Sequence, residues 1–581
     1  MADTGLVQKI NKLRQRRTSP LILELDLTEG IADDPPADPI SALLTHRRNR
    51  LGDVIDALRR ARTDDRVKAL VVKVGGRRIG LARIQELRDA IAEFRKAGKT
   101  TIAWAETFGE FAPGNLPYYL ATAFDQIYLQ PSGDVGLTGI ALETMFYRGT
   151  LDKLGVDYEV AKRHEYKNAV NVLTERGFDA PHREAQQRLV ESITEQLTEA
   201  IADCRRISRA EIRNLIDRGP FTSDEALQAG LVDALCYRDE VYSSVRKEAG
   251  DNAELQYVSR YNRAQKLARG ARRLPNPRER YVALIHASGA IRRGRSGRGP
   301  GLGTAIGSDT LAAAIRAAAV DDRVRAIVLR VNSPGGSATA SDTIWREVVR
   351  ARAVAKPVVV SMGDVAASGG YLISTPADAI VAQPGTLTGS IGVFGGKAVL
   401  TGLLGRAGVS TDAVREGEHA QIFSANRPFT EAEWERVNTW LDRIYADFVA
   451  KVAEGRRLTT THVDKIARGR VWTGADAARN GLVDELGGLD VAEQIARRRA
   501  GLPPDAPVRP YPRVNLLDRL RPAESSEDRP AAARLAPGPL APGRFAAELI
   551  TESWGPVAGV ATRLGLPAGG PLLLPGTWVI N

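Results

Sequence analysis

Three short segments carry hydroxyls and glycines at spacings suited to acyl transfer. They are Val331-Asn332-Ser333-Pro334-Gly335-Gly336, Ala366-Ala367-Ser368-Gly369-Gly370-Tyr371 and Leu387-Thr388-Gly389-Ser390-Ile391-Gly392. Ser368 follows an apolar strand and a turn of small residues. Gly369 and Gly370 permit close backbone approach and unusual dihedrals, so the turn exposes a hydroxyl and aims neighbouring N–H groups at a carbonyl oxygen. Gly335 and Gly336, leaving the strand Ile327–Val331, offer N–H groups for the other half of an oxyanion hole. A serine nucleophile needs a base. His286, on the strand that opens the second half, is the nearest histidine by layout but reads better as a core or strand-end residue. A buried lysine with a lowered pKa is the other option.

These segments lie in the second copy of a duplicated unit. Residues 64–74 read DDRVKALVVKV and residues 321–331 read DDRVRAIVLRV; GLVDAL at 230–235 answers GLVDEL at 481–486. Each copy opens with a strand, at 21–31 and 280–291, then alternates helices with Val/Ile-rich strands. That alternation predicts βαβ crossovers and a mostly parallel sheet covered on both faces. Each copy has a long charged helix, roughly 181–206 and 430–457. The predicted organisation is a basic N-terminal arm at 1–19, a first domain at 20–245, a connector at 246–278, a second domain at 279–500 and a Pro/Ala/Gly-rich, flexible tail at 501–581. The tail ends in the apolar PLLLPGTWVIN.

At 581 residues the chain has length for two to four domains. A net charge of +11 admits nucleic acid or an anionic membrane as partner, but no nucleic-acid motif accompanies it and it reads as Arg-rich composition. Cys204 and Cys236 form no disulfide framework, and the histidines show no metal-ligand spacing; no metal or cofactor is expected. No stretch has the roughly 18–20 apolar residues of a membrane span, and the start lacks the apolar run of a signal peptide. Leu6, Val7, Ile10 and Leu13 beside Lys9, Lys12, Arg14, Arg16 and Arg17 make a basic amphipathic stripe suited to a membrane surface, or a solvated leader. The expected location is cytoplasmic or peripheral to the membrane.

VNSPGG at 331–336, AASGGY at 366–371 and TLTGSIGVFG at 386–395 resemble signal peptide peptidase A, or protease IV, in its double-domain form. The likeness runs over roughly residues 20–500 and implies a Ser–Lys dyad on tandem crotonase/Clp-protease-like domains. The family's lysine segment matches Arg163-His164-Glu165-Tyr166-Lys167-Asn168-Ala169-Val170, although His164 and Glu165 stand where the family commonly has Gly and a small hydroxylated residue. The resemblance assigns Ser368 as nucleophile and Lys167 as general base. Gly369 and Gly336 N–H become the oxyanion donors, with Gly335 the alternative to Gly336, and Ser390 holds the lysine amine. It also implies short apolar peptides such as signal-peptide remnants as substrates, and a tetrameric bowl.

Aligning the copies sharpens the dyad. Asp125 matches Asp378 and Gly155 matches Gly408 at a constant offset of 253. On that offset Lys167 faces Ala420, Leu137 faces Ser390 and Asn115 faces Ser368. The offset is 257 at Asp64 and Asp321, which puts an insertion near Asn115. Each copy lacks what the other keeps, so Lys167 of the first domain is expected to reach Ser368 of the second across an interface. Two other readings stay open: an acyl-CoA hydratase, isomerase or carboxyltransferase using the backbone N–H pair alone, and an inactive scaffold whose lysine lies out of reach.

Overall fold

A computed structural model describes residues 19–33, 49–250, 252–272, 278–299, 303–512 and 572–573. The basic arm and most of the tail lie outside the described residues. The chain forms two compact units, and their boundary departs from the repeat boundary. Of the described residues, the first unit takes those up to Ala141 and those from Ile193 to Arg272; the second takes Leu142–Ser192 and those from Arg278 onward.

The first unit is built on a six-stranded, all-parallel sheet in the order 234–235, 126–129, 100–105, 67–73, 21–26, 254–257. Leu21–Leu25, Ala69–Val72 and Thr101–Ala105 are buried throughout, as strands covered on both faces require. The expected connector is partly inside this unit: Glu254–Tyr257 pairs with Leu21–Asp26, and helix Val258–Arg272 packs on helix Leu51–Ala61.

The second unit repeats the plan with an eight-stranded sheet. Its main path runs 471–473, 387–389, 358–367, 324–333, 281–288, 508–510. Val358–Ala367 forks: its first half pairs with Ala379–Ala382 and its last three residues with Leu387–Gly389. The strand therefore hands Ser368 directly to the fork. Val508–Pro510, in the predicted tail, is the edge strand beside Tyr281–Ser288. A smaller sheet orders 297–299, 303–307, 290–292, 335–336 and 572–573. Among the described residues no helix is long and apolar enough to cross a membrane.

Segment 142–192 packs in the second unit because its strand Asp157–Arg163 pairs over seven residues with Val393–Val399. Ala169 and Val170 bury against Phe394. Lys167 and Ser368 thus share one compact unit, which replaces the expected reach between domains.

The two units share a skeleton. The Tyr118 hydroxyl donates to the Leu231 carbonyl at 2.8 Å and the Tyr371 hydroxyl to that of Leu482 at 2.8 Å. Arg205 holds Gly230 O and Asp233 as Arg456 holds Gly481 O and Asp484. Tyr118 and Tyr371 extend the 253-residue register back to Asn115, so the insertion falls between Ala105 and Asn115. Asn115 opens its helix as Ser368 caps its own. Its side chain accepts from the Thr138 and Gly139 N–H groups and donates to Gly139 O. In the first unit the position of Ser368 is taken by a residue with a structural job.

Candidate active site

Ser368 is fully buried and caps the short helix Gly369–Leu372 with φ 54° and ψ −116°. This conformation costs a non-glycine residue on the order of 1–3 kcal/mol and persists only where surroundings impose it. The fork imposes it: Ser368 N–H donates to Gly389 O at 2.8 Å, and Thr388 Oγ1 donates to Ala366 O at 2.7 Å.

Lys167 Nζ lies 2.9 Å from Ser368 Oγ, 2.9 Å from Ser390 O and 3.0 Å from Ser390 Oγ. The side chain is 1% exposed. Burial lowers its pKa to about 7, because a low-dielectric site disfavours the ammonium. Ser390 also holds a positive φ of 52°, with its N–H on Arg470 O at 2.7 Å. His286 lies in register with Arg330 on the adjacent strand pair; among the described residues no histidine bonds Ser368.

The glycines of the two turns converge. A Cβ on Gly369 would stand 3.2 Å from Gly336 N and 2.6 Å from Ser341 Oγ, so the two backbones need glycine to come this close. At Gly336 a Cβ would meet Ile291 O at 2.1 Å. Gly335 N–H is spent on Ser333 Oγ at 3.1 Å.

Sequence reasoning missed the brace behind Lys167. Tyr166 N–H donates to Arg468 O at 3.2 Å, and Gly469 (φ 90°) backs directly onto Lys167. A Cβ there would lie 2.4 Å from Lys167 N and 2.5 Å from its Cα. Arg470 sits over the rings of Tyr166 and Trp472 and bonds Glu184, which also accepts from Tyr166. Ile216-Asp217-Arg218-Gly219 of the first copy matches Ile466-Ala467-Arg468-Gly469 at an offset of 250, so the glycine is common to both copies and gave no signal of its own. The departure at His164–Glu165 is absorbed locally: Glu165 pairs with Arg468 at 2.8 Å, and His164 packs edge-on to Tyr445. Burial alone shifts Lys167.

A hydroxyl beside a desolvated amine, with two glycine backbones converging next to it, is the equipment of an acyl-transfer hydrolase. The model of peptidase family S49 matches residues 93–252 and 350–502. "Protease 4" of Salmonella typhi is 35% identical over 525 residues, covering 86% of this chain and 82% of that protein. "Serine protease SPPA, chloroplastic" of Arabidopsis thaliana is 30% identical, covering 81% and 68%. "Protease 4" of Haemophilus influenzae is 33% identical, covering 77% and 73%. Among solved structures, a mutant ClpP1 from Listeria monocytogenes matches with TM-score 0.22 and 16% identity, covering 36% of this chain and 92% of that one. The chain belongs to peptidase family S49 and is a protease of the protease 4/SppA kind.

Proposed function

We propose that this protease is an endopeptidase with a Ser368–Lys167 dyad that cleaves short, largely apolar peptides such as signal-peptide remnants. The observation that carries the reading is the 2.9 Å contact between a fully buried amine and a fully buried hydroxyl. With Nζ neutral, its two N–H groups serve Ser390 O and Ser390 Oγ, and its lone pair faces Ser368 Oγ. Lys167 takes the hydroxyl proton as Ser368 attacks the peptide carbonyl, and returns it to the leaving amine as the acyl-enzyme forms. It then activates water to release the acyl group. Gly369 and Gly336 N–H stabilise the oxyanion; Gly335 is committed to Ser333. The apolar preference is the one implied by the resemblance that the VNSPGG, AASGGY and TLTGSIGVFG segments carry.

A fluorophosphonate probe followed by peptide mapping tests the reading. A single adduct on Ser368 is expected; labelling elsewhere, or none, overturns it. Ser390→Ala should slow labelling about 10- to 100-fold, within the range of a positioned proton-transfer group, since the amine loses one of its two anchors.

The protein acts as a homo-oligomer in this reading. Within the chain, Asp157–Arg163 pairs antiparallel with Val393–Val399, Asp157 opposite Val399. The 253-residue offset maps these strands onto 410–416 and 140–146. Neither has a strand partner among the described residues. Residues 410–416 are exposed, while 141–146 alternate exposed and half-buried, the pattern of a strand covered on one face. A second copy supplies the missing partner, Ser410 opposite Phe146, and repetition from chain to chain closes a ring, the tetramer implied by resemblance. Val414, fully exposed, lies in this strand; Val414→Asp should lower the mass measured by light scattering to that of one chain. Attachment to the membrane surface through the basic arm completes the proposal.

A further inference from the structure

Away from Ser368 and Lys167, the second unit holds a cavity of about 440 Å³. Helix Ala338–Ala353 forms one wall through Trp345 and Val349; the ends of helices Glu431–Arg456 and Leu489–Arg499 and the turn 376–378 form the others. Lys451, Arg457 and Arg499 line it, and Lys451 Nζ sits over the Trp345 ring, 4.7 Å from its centre. Two of the lining carboxylates are already committed, Asp378 to Arg352 and Asp484 to Arg456. Lys451 pairs with Asp342 and Asp447, whose side chains are more than half exposed, where pairing is weak. Arg457 and Arg499 make no ion pair among the described residues, and Glu454 is the remaining lining carboxylate. The cavity therefore carries surplus positive charge beside an apolar wall.

The duplication separates what the skeleton needs from what was added. Arg95–Asp125 and Arg205–Asp233 of the first unit repeat Arg352–Asp378 and Arg456–Asp484, so those pairs serve the fold. The rest is not repeated. On the 251-residue offset that relates Leu231 to Leu482, Lys451 faces Ala200 and Arg499 faces Glu248; on the 257-residue offset Trp345 faces Arg88. Arg88 bonds Thr122 Oγ1 at 2.7 Å and Cys204 Sγ at 3.9 Å, and these two residues face Thr375 and Gly455. In the first unit an arginine thus crosses the corresponding space. The indole wall and the added cations belong to the second unit alone.

We propose that this cavity is a binding site for a small phosphorylated compound with a ring, of the nucleoside diphosphate class. The guanidinium forks of Arg457 and Arg499 match phosphate oxygens in pairs, and Lys451 adds a point charge. Trp345 and Val349 supply the apolar face against which a ring packs. The volume lies within the roughly 300–1,000 Å³ of small-molecule sites. Binding here is independent of the Ser368–Lys167 chemistry.

The test is calorimetric titration of the full-length chain with ADP and with pyrophosphate at low ionic strength, where charge pairing is least screened. ADP should bind with a submillimolar Kd, and pyrophosphate, which lacks the ring, about tenfold more weakly. Arg457→Gln/Arg499→Gln should weaken ADP about 10- to 100-fold, the worth of one or two charge-assisted hydrogen bonds. Arg260→Gln/Arg263→Gln removes the same charge from exposed positions of the first unit and should leave ADP binding unchanged. Absence of ADP binding, pyrophosphate binding as tightly as ADP, or equal weakening by the two double substitutions overturns the proposal.

Discussion

Lys167→Met should leave Ser368 almost unreactive, with the rate of fluorophosphonate labelling falling on the order of 10³- to 10⁴-fold while the fold persists. Methionine keeps the length and apolar stem of the side chain in a site that is already dry, so the change removes a proton acceptor and little packing. Lys167→Arg should be no better, because a guanidinium stays protonated. The wild-type rate should rise with pH through about 7, the value to which burial lowers the lysine. Below it the ammonium has no lone pair to accept the serine proton; above it the amine is free. Labelling in Lys167→Met at the wild-type rate, or a wild-type profile flat between pH 6 and 8, would remove Lys167 as base. Stability carries the same signature. From about 7 up to the ordinary lysine value of 10.5 the unfolded chain binds a proton that the folded chain does not. Stability therefore rises with pH across that window, and the cost of burying the ammonium is fully present below it. Lys167→Met should flatten the rise, read as the difference in Tm between the two proteins across the window.

Gly469→Val should approach the same loss without touching either reactive group: on the order of 10²- to 10³-fold slower labelling. The side chain would start 2.4–2.6 Å from the N, Cα and Cβ of Lys167. Backbone cannot rotate aside as a long side chain does, so the lysine loop must move. A shift near 1 Å is enough to cost about 10²-fold when a reaction depends on alignment. Gly469 also holds φ at 90°, and Gly408→Ala controls for that strain. Gly408 has φ 71° with open space where a Cβ would go, so its alanine variant should lose stability and keep its labelling rate. Gly469→Val labelling as fast as wild type would show that the brace has no part in holding the base.

The strands, the duplication and the Ser368 turn are legible along the chain because each depends on neighbours in sequence. Continuous Val/Ile runs report strands buried on both faces, and Ser368 announces itself through the small residues and glycines that its bend and close contacts demand. The halves also disclose their asymmetry: Asn115 and Leu137 stand in the places of Ser368 and Ser390, and the register shared by Tyr118 and Tyr371 secures that comparison. The lysine was legible only through resemblance, since nothing local distinguishes Lys167 from a surface lysine.

Packing alone supplies the rest. The segment bearing Lys167 leaves the unit in which its repeat began, because seven residues of strand pair with Val393–Val399. Three stretches remote from one another, around residues 167, 390 and 469, then exclude water from one amine. A lowered pKa is a property of that enclosure, and no spacing within a single stretch encodes it. Gly335 and Gly336 are equivalent as letters; they differ once Ser333 takes the N–H of one and Ile291 crowds the other. The chain's residues thus establish which groups are available for chemistry, while tertiary contacts set their protonation, their distance and the company they keep.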